Sequence, residues 1–213
     1  MKTDEFVALL ASRVQAVDPR MAGRRYLFAL VAGGVGAVVI LVAALGFNPK
    51  LGHETTVPMF WVREAFCLAL AAFTIAVITR LARPGVPIGW LRAAVPVPLI
   101  VMWLLAAVAL FEAPAAGRVS LLLGGSAMVC PFRIAVIGSP FFVALVWVLR
   151  GLAPTRLRLT GAAAGFAAGA LGALVYTLHC PELAAPFIAV WYVLGICIPT
   201  AVGAWLGPRL LRW

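Results

Sequence analysis

"GAAAGFAAGALGALVYTLHCPELAAP" (Gly161–Pro186) decides the fold. Its first half carries no charge, and Gly161, Gly165 and Gly169 recur at i, i+4 and i+8, which places them on one face of a helix. A face of small residues lets a second helix approach closely and gain van der Waals contact. The run then breaks at His179-Cys180-Pro181-Glu182, and a second long apolar run follows. Two apolar runs hinged by so short a polar joint describe a membrane bundle and not a soluble core.

Working outward, the pattern repeats. A membrane-crossing helix needs roughly 20 apolar residues. Six such runs are present, at about 27–46, 61–79, 94–112, 132–149, 159–178 and 184–206. Of the 213 residues, 64% are hydrophobic and only 11% charged, and the mean hydropathy is +1.08. Soluble domains carry about 25% charged residues. The expected fold is an all-α, six-helix integral membrane bundle. Residues 1–26 form the one sizeable polar segment, and 27–213 the transmembrane domain.

The net charge of +10 is explained by topology and not by a nucleic-acid surface. Thirteen of the 17 Lys and Arg residues fall before span one, between spans two and three, between four and five, or after six. Only Lys50, Arg63, Arg118 and Arg133 fall on the other side. Basic loops stay in the cytoplasm, so both termini are expected there. No direct contact with nucleic acid is expected. The first span is read as an uncleaved helix, because it is long and a polar segment precedes it.

The polar segment "TDEFVALLASRVQAVDP" (3–19) predicts a short amphipathic helix. Thr3 can cap it, Asp4 and Glu5 suit its positive end, and Phe6, Leu9, Leu10, Val14 and Val17 fall near one face. Such a helix either lies on the membrane or docks a cytoplasmic partner. The first outer loop, "FNPKLGHETTVPMF" (47–60), is expected to be irregular, with His53 solvated. The stretch "EAPAAGRVSLLLGGSAMVCPFR" (112–133) holds an apolar run too short to span, expected to lie along the outer interface.

No charge falls near the middle of any span. Arg63, Glu64, Glu112 and Arg133 are expected at the outer boundary, reaching water or one another. Ion-coupled carriers keep ionisable groups at depth, which speaks against a small transporter. No zinc-protease, P-loop, nucleophile-elbow or dinucleotide motif is present, so no enzyme activity and no cofactor are expected. A membrane thiol oxidoreductase would need a cycling dithiol, and there is no CxxC.

Cysteine is the remaining chemistry. Cys67 and Cys197 lie within spans and are expected to be packing residues. Cys130 and Cys180 lie in outer joints, each followed by proline. They can form a structural disulfide, stay unpaired, or act as a redox- or metal-responsive pair. His179 stands next to Cys180 and could favour its thiolate, with Glu182 orienting the imidazole or joining a soft-metal site.

These residues together resemble the NrsF family, the "negative regulator of sigma F" group of six-span bacterial anti-sigma factors. The resemblance covers essentially the whole chain. It rests on "KTDEFVALLA" (2–11), on "CP" before span four, on "LRGLAPTRLRLTGAAAGFAAGALGALVYTLHCPE" (149–182), on "AVWYVLGI" (189–196) and on "GPRLLRW" (207–213). It implies an inner-membrane protein that holds an extracytoplasmic-function sigma factor through the amphipathic helix. It also implies that the outer Cys130, His179 and Cys180 sense oxidative or metal stress and release that factor.

Overall fold

The computed structural model describes residues 21–83, 85–152 and 154–212. The segment holding Asp4, Glu5, Phe6, Leu9, Leu10 and Val14 lies outside the described residues. The architecture is an all-helical bundle with six helices long and apolar enough to cross a membrane. They are Met21–Ala44, Pro58–Leu81, Leu91–Glu112, Cys130–Arg150, Leu157–Tyr176 and Ala185–Leu210, here the first to sixth spans. At 20 to 26 residues each, they reach about 30–39 Å, enough for the hydrocarbon core. Proline stands in the first turn of the second, fourth and sixth spans, where its missing N–H costs nothing.

The fifth span is the most buried of the six. Its small residues explain why. An added Cβ on Gly161 would strike the Gly203 carbonyl, one on Gly165 the Pro199 carbonyl, and one on Gly169 would sit 2.8 Å from Ile196 Cα. The sixth span answers with its own pair, Gly203 and Gly207, so the two backbones meet directly. Further along the helix, an added Cβ on Gly172 would fall 2.6 Å from Gly138 Cα of the fourth span. The fifth span is thus wedged between the fourth and the sixth and also touches the second.

The first span leans on the fourth, with Gly33 and Gly36 against Phe141 and Pro140. The third span is among the least buried, and exposes Trp103, Leu104, Val108 and Phe111 along its length. Those side chains suit hydrocarbon.

The bundle has two unlike ends. Cys130, Cys180 and the loop after the first span share one, called here the cysteine end. Arg80, Arg83, Arg150 and Arg156 share the other, the basic end. At the cysteine end, the loop expected to be irregular contains a helical turn, Leu51–Glu54. Asn48 Nδ2 donates to Glu54 Oε1 at 2.6 Å in a buried contact, and the Asn48 amide donates to the Leu178 carbonyl at 2.9 Å. That bond pins the first loop to the joint between the fifth and sixth spans. The short helix Ala115–Leu123 has no buried residue and is tied down by Trp191, whose indole N–H donates to the Leu122 carbonyl at 2.8 Å.

The sixth span starts with an α turn, widens into a π turn over Ile188–Tyr192 and continues as α-helix from Val193. Trp103 Nε1 donates to the Ala189 carbonyl within that wide turn, at 3.1 Å. A side chain of the third span therefore satisfies a carbonyl where the regular ladder is interrupted.

Candidate functional site: a buried thiol pair under an arginine clamp

The joint from Thr177 to Ala184 carries the site. Cys180 is fully buried within it, and Cys130 is fully buried at the first residue of the fourth span. Both are free thiols, and they stand within hydrogen-bonding reach of each other. The Tyr176 and Tyr192 rings pack 6.1 Å apart beside them. Both hydroxyls are buried without an oxygen or nitrogen partner. Cys180 lies between spans, and its thiol is drawn from the ordinary range down to about 6. The hydrogen bond with the Cys130 thiol is the main cause. The Glu182 backbone, the Tyr192 hydroxyl and the Arg63 charge add to it, against the opposing effect of burial.

Arg63 holds the joint in shape. It stands at the span boundary expected from the sequence and beside Glu64, but its side chain is 0% exposed and does not reach water. Nη1 donates to the carbonyls of Cys180 and Glu182, both at 2.9 Å, and Nη2 to that of Thr177 at 3.3 Å. The guanidinium also stands 5.2 Å from the Phe60 ring centre, and its Nε is 3.8 Å from Glu64 Oε1. A buried charge is tolerable only when paired and hydrogen-bonded. Here the chain answers with three carbonyls that the turn Thr177–Glu182 leaves without helical partners. The physical reason that Arg63 does not reach water is this turn. It comes from more than a hundred residues away and closes over the guanidinium.

His179 spends its ring nitrogens on groups other than the sulfurs. Its Nδ1 lies 3.0 Å from the Gly46 carbonyl and its Nε2 lies 3.4 Å from Arg133 Nη1. A carbonyl can only accept and a guanidinium can only donate, so Nδ1 carries the proton and Nε2 the lone pair. His179 thus joins the first loop to the fourth span, and the positive charge credited with lowering Cys180 is that of Arg63.

Glu182 does not orient the imidazole. Its Oε1 accepts from the Gly125 amide at 2.7 Å. Gly124 precedes that amide with φ +51°, and a Cβ there would fall 2.6 Å from the Glu182 carboxylate. The positive φ favours glycine at Gly124, whereas the carboxylate is the end of a flexible side chain that can move aside. Among the described residues no three His, Cys, Asp or Glu side chains gather to hold a metal ion. Two facing thiols suit disulfide formation, or a two-coordinate soft ion, better than a closed metal site.

Cys67 is fully buried in the second span, and Cys197 is exposed on the sixth. The structure brings Cys130, Cys180 and His179 to one end. It places Gly161, Gly165 and Gly169 on the seam with the sixth span. Sequence reasoning missed Arg63, Tyr176 and Tyr192. One signal for Arg63 was available: a lone Arg-Glu pair inside "FWVREAFCLAL" (60–70) had to face protein, because hydrocarbon does not tolerate it.

No solved structure matches the chain. The chain is 44% identical, over the full length of both proteins, to a probable anti-sigma-F factor NrsF of Azospira oryzae. It is 37% identical, again over the full length of both, to the anti-sigma-F factor NrsF of Caulobacter vibrioides. The family model described as "Negative regulator of sigma F" matches residues 10–213. With that match over nearly the whole chain, the protein belongs to the NrsF family.

Proposed function

We propose that this protein is an inner-membrane anti-sigma factor, and that the thiol pair Cys130–Cys180 controls its grip on an extracytoplasmic-function sigma factor. The names of its two full-length relatives support the sigma-factor role. The observation that carries the control mechanism is the pair of free, buried, facing thiols, one of them with its ionisation drawn down to about 6. The cysteine end faces the periplasm, and both termini face the cytoplasm. The count of thirteen basic residues against four supports this orientation. A reporter fused after Trp213 tests it by being active only in the cytoplasm.

Oxidation by a peroxide balances as follows. The Cys180 thiolate attacks one peroxide oxygen, the O–O bond breaks, and a sulfenic acid and an alcohol or water result. The Cys130 thiol then attacks the sulfenic sulfur, forming the S–S bond and expelling water. The two sulfurs lose two electrons and the peroxide gains them. A soft metal ion would act by replacing the two thiol protons. Either event ties the start of the fourth span to the joint before the sixth. To matter, it must favour one bundle arrangement over another.

At the cytoplasmic face, residues 1–26 hold the sigma factor through Phe6, Leu9, Leu10 and Val14, with Asp4 and Glu5 at the rim. Each buried apolar anchor is worth roughly 1.5–3 kcal/mol before ordering costs. The test is copurification of the sigma factor with the full-length chain. Peroxide should release it from the wild type but not from Cys130→Ser. F6A/L10A should fail to retain it while remaining inserted. Equal release from Cys130→Ser, or retention after deletion of residues 2–17, overturns the proposal.

A further inference from the structure

Between the second and third spans at the basic end, the chain turns back toward the second span. Arg80 Nη1 donates to the Ile88 carbonyl at 2.9 Å and to the Pro87 carbonyl at 3.3 Å. Gly85 and Gly89, with φ +79° and +61°, make the reversals. Trp90 then packs edge-on against Phe73, centroids 6.5 Å apart. Phe73 is two turns inside the second span. This loop therefore lies at the depth where indoles sit among lipid headgroups.

The fold-back encloses a polar concavity of about 270 Å³, whose walls include Arg80, Arg83, Arg92, Thr155 and Arg156. Four arginines line it, of which Arg80 already gives Nη1 to the Ile88 and Pro87 carbonyls. Among the described residues every acidic side chain, Glu54, Glu64, Glu112 and Glu182, belongs to the cysteine end. The concavity thus carries positive charge with no described carboxylate to balance it. Its volume is below the roughly 300–1,000 Å³ of drug-sized sites. It suits one headgroup, with acyl chains left in the bilayer.

We propose that this arginine-lined concavity binds the phosphate of an anionic membrane lipid, and so seats the basic end of the bundle in a phosphatidylglycerol-rich leaflet. Arginine is suited to this because its planar donors match phosphate oxygens in pairs. The inference rests on the loop's depth and charge, and is independent of what the protein holds in the cytoplasm.

Native mass spectrometry of the full-length chain tests it, with phosphatidylglycerol or phosphatidylcholine supplied at equal amounts. The wild type should retain phosphatidylglycerol preferentially. Each arginine removed from the wall should weaken retention about fivefold. R83Q/R92Q/R156Q should abolish the preference, whereas R24Q/R158Q/R212Q, with equal charge removed from the same end, should keep it. Loss of preference in both triple variants would mean a diffuse charge effect and overturn the site. Competition by millimolar inorganic phosphate would identify a free-anion site and overturn the lipid assignment. Gain of phosphatidylglycerol only after deletion of residues 2–17 would show that the chain's own acidic segment fills the concavity, and would overturn it equally.

Discussion

Arg63 and Arg83 sit near opposite ends of the same span, yet they live in different media. Arg63 has no exposed surface and spends its donors on three carbonyls of a distant turn. Arg83 is exposed beside other arginines, with no carboxylate described at its end. One end of the bundle buries its charge and locks a loop with it. The other displays charge toward whatever lies outside. The lesson concerns the division of labour. A buried cation whose Nη donors are taken by carbonyls fixes the shape of a joint, and exposed cations without a described carboxylate leave their charge facing outward.

The largest expected effect falls on that contrast. Arg63→Met leaves three carbonyls unpaired in a buried place, and should destabilise the protein by about 3–5 kcal/mol. Arg83→Met should change stability by less than about 0.5 kcal/mol. Thermal unfolding of both variants in the same lipid compares them directly. Equal losses would erase the distinction between the two ends.

The seam between the fifth and sixth spans offers the next effect. Gly165→Ala drives a methyl into the Pro199 carbonyl, and overpacking of this kind costs about 1–3 kcal/mol. Gly23→Ala, at the basic end of the first span, meets nothing within 4 Å and should be neutral or slightly stabilising. A tolerated Gly165→Ala would mean that the two backbones are not in direct contact.

The third test is a pH profile. Cys180 is held below the ordinary thiol range, so its thiolate gains population as pH rises through about 6 and is lost below it. The rate of disulfide formation with a peroxide should climb between about pH 5 and 7 and then level off. In a Cys130→Ala variant, which removes the main cause of the lowering, the pH at which Cys180 becomes reactive toward a thiol alkylating reagent should move toward the ordinary thiol value of about 8.5. A wild-type profile that rises only near 8.5 would show that the joint does not activate Cys180.

The smallest effect should come from Gly124→Ala. The positive φ disfavours a side chain by about 1–2 kcal/mol, and the methyl would press on the Glu182 carboxylate. Hydrogen exchange at the Gly125 amide should rise. Protection at the basic end should be unchanged.

The parts that were legible in the sequence share a cause. The six spans are continuous apolar runs, and Gly161, Gly165 and Gly169 share a face by simple helical arithmetic. Cys130 and Cys180 drew attention because each precedes proline at a span boundary. Arg63 lies at the boundary that its place in the run implies, but the turn that buries it stands more than a hundred residues later, and local pattern does not name that partner. The His179 orientation was missed for the same reason, since its partners are Gly46 and Arg133. Gly203 and Gly207 were readable as a matching small-residue pair, but their register against Gly161 needed the structure.

The π turn at Ile188–Tyr192 has a consequence for how the ends are geared together. A wide turn accommodates one residue more than an α turn, and one residue is about 100° of helical rotation. Pro186 and Phe187 above it are therefore out of phase with Ile196, Pro199 and Gly203 below it. The turn acts as a vernier: it aims the upper segment at the thiol joint while the lower segment meshes with the glycine seam. Removing a single residue there, such as the exposed Val190, would straighten the helix and slip one half against the other. The alignment of sulfur chemistry with the helical seam is held by one notch in the sixth span.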